Sequence, residues 1–157
     1  MKIVARPPES TVRRLLSEAE LPTSDITPEK LETFFACESD GKLEGVVGLE
    51  LYGTVGLLRS LAVSSRCRSR GLGSALLMHA EAVAQARGIV WLYLLTTTAE
   101  RFFRGLGYET VPRELAPPEI QLTSEFSTIC PVSSAFMVKR MTVIPPLKRP
   151  PREHGAA

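Results

Sequence analysis

Three cysteines and two histidines among 157 residues leave this chain little with which to bind a metal, form a disulfide or run imidazole chemistry. Cys37, Cys67 and Cys130 have neither the paired spacing of a disulfide framework nor the ligand spacing of a zinc site, which points to a reduced, cytoplasmic protein without a metal. His79 falls inside a helical pattern and His154 in a basic, proline-rich end, so neither is placed as a catalyst. No apolar run reaches membrane-spanning length and the N-terminus has no signal-peptide core, which argues against a membrane partner. A formal net charge of +2 is too small to argue for nucleic acid. There is no internal repeat. What remains is 44% hydrophobic and 23% charged, in a chain long enough for one globular domain with a real core.

The positive signal is local. Leu57-Leu58-Arg59-Ser60-Leu61-Ala62-Val63 reads as a strand that ends in a polar turn. The segment Arg68-Ser69-Arg70-Gly71-Leu72-Gly73-Ser74 then opens into a helical pattern carried by Leu76, Leu77, Ala80, Val83 and Ala84, with Gly88 as its stop. Gly71 and Gly73 remove side chains where backbone N–H groups must approach a ligand, and the unpaired amides of the following helix favour a phosphate. Arg66, Arg68 and Arg70 crowd positive charge around the same turn. The pattern reads as a pyrophosphate-binding corner. It is not a Walker loop, since no Gly-Lys-Ser/Thr follows the glycines, and it lacks the third glycine and acidic residue of the dinucleotide fingerprint.

Around this corner the chain alternates strand and helix signals. Residues 2–5 read as a strand, and Val12, Leu15, Leu16 and Ala19 as a helix face behind Pro7-Pro8 and Glu9. Thr27-Pro28 is a helix cap followed by proline at the first helical position. Ser39-Asp40-Gly41 and Tyr52-Gly53-Thr54 are hairpin turns, so the first half is antiparallel. Residues 89–95 are nearly continuously apolar, which predicts a strand buried on both faces and reached by a parallel crossover. A short helix over residues 99–106 comes next, with Thr97 or Thr98 as its cap. Pro117-Pro118-Glu119 opens a further small helix through Phe126, and residues 135–141 read as the last strand. Residues 1–141 form the domain; residues 142–157 read as a flexible, proline-rich basic tail.

Arg68, Gly71 and Gly73, with Leu61-Ala62-Val63 before them, resemble the acetyl-CoA pyrophosphate loop of the GCN5-related N-acetyltransferase (GNAT) superfamily. Ala99-Glu100-Arg101-Phe102-Phe103-Arg104-Gly105-Leu106-Gly107-Tyr108 is similar to a second block of that family, in the right order and with a strand between. The resemblance implies a mixed α+β fold, with a central mixed sheet of about six to seven strands and about four helices. It implies direct acetyl transfer from acetyl-CoA to the amine of a small molecule, in a monomer or homodimer. Backbone amides of Leu61 and Val63 would hold the thioester carbonyl. Ala62, Arg68, Ser69, Arg70, Gly71, Leu72, Gly73, Ser74, Thr97, Phe102 and Phe103 would complete the cofactor site.

The general acid is where the chain departs from the family. Phe103 occupies the position at which many members carry a tyrosine, and a phenyl ring donates no proton. Glu50, at the end of an apolar strand, is the candidate base, directly or through water. Arg59 on the next strand either pairs with Glu50 across the hairpin or holds a substrate carboxylate. More narrowly, the segments around Glu50, Arg59, Leu92 to Ala99 and Cys130-Pro131 resemble the small acetyltransferases of arsenic-resistance operons, which implies detoxification of an amino-acid-like or arsenical amine. That resemblance adds Thr96, Thr98 and Cys130 to Glu50 and Arg59 on the acceptor side. The alternatives are a peptide or protein N-acetyltransferase, or a non-catalytic acyl-CoA-binding or arsenical-sensing protein.

Overall fold

Strand alternation divides the buried residues into two opposed faces, and that division sets the architecture. The computed structural model describes residues 1–142, so the tail expected over residues 142–157 lies almost wholly outside the described residues. Seven strands, β1 (Lys2–Ala5), β2 (Phe34–Ser39), β3 (Lys42–Tyr52), β4 (Val55–Val63), β5 (Trp91–Thr96), β6 (Glu109–Thr110) and β7 (Ala135–Arg140), form one sheet in the order β1-β2-β3-β4-β5-β7-β6. All neighbouring pairs are antiparallel except β4 and β5, which the helix α3 (Leu72–Ala86) joins as a parallel crossover.

One face carries Phe35, Cys37, Val47, Leu49, Leu58, Leu92, Leu94 and Met137, packed against α3 and against Phe103 of the short helix α4 (Glu100–Arg104). The other face carries Phe34, Val46 and Ala62 against α1 (Glu9–Glu18) and α2 (Pro28–Leu31), and Leu57 and Phe136 against α5 (Pro118–Gln121). Thr27 caps α2 as expected, its side chain accepting the Lys30 N–H at 3.2 Å.

Three local expectations are corrected. The apolar run on β5 is not buried on both faces: Leu92 and Leu94 are buried, Tyr93 and Leu95 half-buried and Trp91 exposed, because the small cluster of Leu57, Ala116, Ile120 and Phe136 on that face reaches Tyr93 and Leu95 but not Trp91. Neither Thr97 nor Thr98 caps α4; Thr96 accepts the N–H of Ala99 at 3.0 Å, since the chain turns as soon as it leaves β5. The helix expected through Phe126 stops at Gln121, and a separate wide turn, Glu125–Ile129, succeeds it.

Two irregularities in the pairing of β3 with its neighbours shape the C-terminal end of β4. Between the pairs Val46↔Ala62 and Gly48↔Arg59, Ser60 and Leu61 of β4 together oppose Val47, a bulge whose first residue sits at φ 59°. Between Cys37↔Gly45 and Glu38↔Leu43, Glu44 is the extra residue, and its buried carboxylate takes the Ser64 hydroxyl and lies 2.6 Å from the Arg66 guanidinium.

Candidate functional site

The parallel pair β4–β5 comes apart. It is in register only from Val55↔Trp91 to Leu57↔Tyr93, while both strands continue beyond. The bulge at Ser60-Leu61 turns β4 away at that point. Backbone groups on the inner edges of the two strands are thereby released from the ladder. The Ser64 N–H donates to the Glu44 carbonyl at 2.7 Å, so Ala62 and Ser64 face β3. By strand alternation Leu61 and Val63 turn their N–H and C=O groups to the gap. Consistent with this, the Val63 carbonyl accepts from Arg68 Nε at 3.4 Å.

The gap is the floor of a cleft of about 1090 Å³. The bulged end of β4 forms one wall, Leu94 to Ala99 and the α4 phenylalanines the other, and the C-terminal end of α1 a rim. At one end lies the glycine turn. Gly71 is in the left-handed region at φ 77° and caps the N-terminus of α3, so an L side chain there is strained. A Cβ on Gly73 would point between Phe102 and Val63 at 3.8 Å from each. Arg68 lines the cleft beside them. Free amides, a helix N-terminus and an exposed guanidinium at one end fit a pyrophosphate, and the narrow gap between two strands fits the extended arm of an acyl thioester.

Of the residues singled out from sequence, Arg59, Leu61, Ala62, Val63, Arg68, Gly73, Thr96, Thr97, Thr98, Phe102, Phe103 and Cys130 line this cleft. Ser69, Arg70, Gly71, Leu72 and Ser74 are not on its wall. The first three are exposed on the turn, Leu72 is buried against the core and Ser74 half-buried on α3. Glu50 is not on the wall either. It lies behind Arg59, and the hairpin diagonal brings its Oε2 to 2.7 Å from Arg59 Nη1.

That pair belongs to a larger cluster. The Arg59 side chain is fully buried, stacked 5.8 Å from the Phe34 ring centre. Its Nε donates to Ser60 at 3.0 Å, Nη1 to Asp25 and Glu50, and Nη2 to Asp25 Oδ1 at 2.7 Å, with Glu125 Oε1 at 3.1 Å. Lys30 adds a second cation, 2.7 Å from Asp25. Tyr52 donates its hydroxyl to Glu50. Burial alone would raise the Asp25 carboxyl, but hydrogen bonds from Arg59 and Lys30 outweigh it and hold the group at about 2. Burial and the Glu50 carboxylate push the Tyr52 phenol up, and Asp25, Glu125 and Glu50 keep Arg59 charged against its own desolvation.

Asp25 gives no signal in the sequence: it sits in a loop with no motif of its own and gains meaning only from Arg59, 34 residues on. Glu125 is marked in the sequence only by its place with Cys130 between the small helix and the last strand, where the family resemblance puts the acceptor pocket. It lines the cleft beside Cys130, whose thiol donates to it at 3.0 Å. Burial and that carboxylate push the Cys130 thiol up to about 12, so it is a hydrogen-bond donor rather than a nucleophile at neutral pH. All three cysteines are free, and among the described residues no group of three His, Cys, Asp or Glu side chains is placed to hold a metal ion. Among the same residues no helix is long and apolar enough to cross a membrane.

A mixed sheet parted between its two parallel strands, with a glycine turn at one end of the gap and a charged cluster at the other, defines an α+β protein with a long cleft along the sheet. The model of the acetyltransferase (GNAT) family matches residues 5–108, and the chain belongs to that family. An uncharacterized N-acetyltransferase of Chlorobaculum tepidum is 34% identical over 94 residues, and the chain matches 59% of that relative's length with 59% of its own. The fold is that of the N-acetylglutamate synthase of Neisseria gonorrhoeae solved with coenzyme A and N-acetyl-glutamate: TM-score 0.75 at 22% identity, over 90% of this chain and 35% of that one. It is also that of Rv2747 of Mycobacterium tuberculosis, solved with CoA and NLQ, with TM-score 0.69 at 16% identity, over 90% of this chain and all of the other.

Proposed function

We propose that the protein is an acetyl-CoA-dependent N-acetyltransferase that transfers the acetyl group directly to the amine of a small molecule. The observation that carries this reading is the parting of β4 from β5, which leaves Leu61 and Val63 amides facing a cleft that ends at Arg68 and Gly73. Bound acetyl-CoA would supply an activated acetyl group. The chain's part is to hold it: the turn and Arg68 take the pyrophosphate, and the Leu61 and Val63 amides the pantetheine and the thioester carbonyl, where charge develops during transfer. The Cys130 thiol, held protonated, makes an acetylated-cysteine route unfavourable and supports direct attack by the amine. CoA-bound relatives of the same fold lend weight to the cofactor.

The resemblance to arsenic-resistance acetyltransferases places amino-acid-like and arsenic-containing amines among the acceptors to try. Calorimetric titration with acetyl-CoA, followed by a thiol-release screen over amino acids, amine antibiotics and arsenic-containing amino acids, tests the reading. Binding with turnover on one acceptor class is expected; absence of acetyl-CoA binding would remove it. Phe103, buried where a phenol would serve as acid, favours a second reading, an acyl-CoA-binding protein without turnover, which binding without thiol release would support.

A further inference from the structure

Three acidic residues are buried among the described residues, Glu44, Glu50 and Glu125, and of these Glu125 opens on the cleft. It begins the wide turn Glu125–Ile129, whose geometry is tied twice: the Cys130 N–H donates to the Glu125 carbonyl at 3.0 Å and the Cys130 thiol to its Oε2 at 3.0 Å. Oε1 is 3.1 Å from Arg59 Nη2. The carboxylate is therefore aimed from two sides while keeping lone pairs for a ligand.

Charge points the same way. Asp25, Glu50 and Glu125 share two cations, Arg59 and Lys30, so within this ion-paired cluster carboxylates outnumber cations, and Glu125 is the carboxylate that reaches the cleft wall. Arg59 meets protein acceptors with all three of its nitrogens, so it is not open to a substrate carboxylate; an anionic group on the acceptor must be met elsewhere. An independent observation marks the same loop. The Ser134 hydroxyl is buried, lines the cleft and has no hydrogen-bond partner, while the Ser134 N–H closes the loop onto the Pro131 carbonyl at 2.9 Å. A buried hydroxyl left unpaired beside a cavity is what remains when the partner is the ligand.

We propose that Glu125 receives the acceptor's ammonium group, with Arg59 and Cys130 as its positioning residues and the Ser134 hydroxyl as the second polar contact of the amine. This rests on the acetyl-transfer reading. In the reaction the ammonium gives one proton to Glu125 and through it to solvent. The free amine then attacks the thioester carbon, the N–C bond forms as the C–S bond breaks, and the departing sulfur leaves as the CoA thiol with the second proton. The groups facing Glu125 that bear on this step are Arg59 from β4, Asp25 and Glu50 through Arg59, Cys130 from its own loop and Arg113, which faces Cys130.

The test uses n-butylammonium as a minimal acceptor, titrated into the CoA-saturated full chain and assayed for thiol release with acetyl-CoA. Wild type, Glu125→Gln, Glu125→Asp and Ser134→Ala are compared, each also titrated with acetyl-CoA. Expected is acetyl-CoA affinity within about twofold throughout, n-butylammonium binding weakened at least about tenfold in Glu125→Gln and severalfold in Ser134→Ala, and partial rescue by Glu125→Asp. kcat/KM for n-butylammonium should fall in Glu125→Gln and recover in part in Glu125→Asp, with the KM for acetyl-CoA within about twofold of wild type. Unchanged amine binding and an unchanged kcat/KM for n-butylammonium in a folded Glu125→Gln protein that still binds acetyl-CoA would overturn the proposal, as would a wild type that does not bind n-butylammonium. A wild type that fails to bind acetyl-CoA would instead overturn the reading beneath it.

Discussion

Arg59 on β4 grips Asp25, in the loop between α1 and α2, as a two-point fork: Nη2 reaches Oδ1 at 2.7 Å while Nη1 meets Oδ2. This fork fastens the α1–α2 layer to the sheet at the edge of the cleft. Removing one partner strips a buried charge of its two-point contact while Glu50 and Glu125 still face Arg59 and Lys30 still faces Asp25, which costs about 1–3 kcal/mol. Asp25→Ala should therefore destabilise far more than a surface carboxylate deletion. Arg59→Met should be less harmful in the background Asp25→Leu than alone, because both charges then leave together; denaturant unfolding of the four proteins measures the difference.

The same fork sets an acid limit. The folded Asp25 carboxyl stands at about 2, below its ordinary 3.8, so its contribution is present in full above that ordinary value and is lost as the pH falls from about 4 to about 2. The lost contribution is about 2 kcal/mol. Urea midpoints measured between neutral pH and pH 2 should fall across this window in the wild type, and the part due to Asp25 should be missing in Asp25→Asn.

Gly48, paired with Arg59 across the hairpin, lies over the Phe34 ring. A Cβ there would fall 2.4 Å from two of the ring atoms. Phe34 is fully buried between α1 and the sheet and cannot swing clear. Gly48→Ala should cost about 1–3 kcal/mol, and less in a Phe34→Leu background, where the ring is gone. Thermal unfolding of the double-mutant cycle reads both values.

At the glycine turn, Arg68→Ala should weaken acetyl-CoA binding about tenfold, the worth of one charge-assisted contact, with no loss of stability since Arg68 is exposed. Gly71→Glu should weaken it further, by strain at φ 77° and by placing a carboxylate beside the pyrophosphate. Calorimetry on folded variants gives both numbers.

The antiparallel first half, the parallel crossover and the glycine corner were legible because they are written locally. Asp40-Gly41 and Gly53 announce their turns, and the glycine corner before Leu76 announces strand, turn and helix within a dozen residues. The acceptor end was not, because its parts are scattered. Asp25, Glu50, Arg59 and Glu125 come from four separate segments and are joined only by packing. Glu50 was legible as an unusual residue in an apolar strand, yet the same strand direction that buries it also turns it behind Arg59 instead of onto the cleft wall. The bulge at Ser60 carries no glycine and so no signal, although it decides where β4 leaves β5. Thr96 and not its neighbours receives the α4 amide because the turn begins one residue inside the strand, a shift finer than periodicity resolves.

Cys130 offers the last check, and one that needs no substrate. Its thiol is pushed up to about 12 by burial and by the Glu125 carboxylate it donates to, so little thiolate exists at pH 8. Alkylation by iodoacetamide at that pH should be at least about a hundredfold slower than for an unperturbed thiol, whose pKa is about 8.5. Glu125→Gln removes the negative charge that holds the proton; the thiol should become more acidic and its alkylation at pH 8 faster, by about tenfold or more. Cys37 and Cys67, fully and nearly buried on the far side of the sheet from Glu125, serve as internal references when each site is followed by peptide mass spectrometry. If Cys130 accelerates while both references stay unreactive, the change is local to the Glu125–Cys130 contact. Equal acceleration at all three sites would mean that the variant has loosened the fold, and no acceleration would mean that the carboxylate does not govern the thiol.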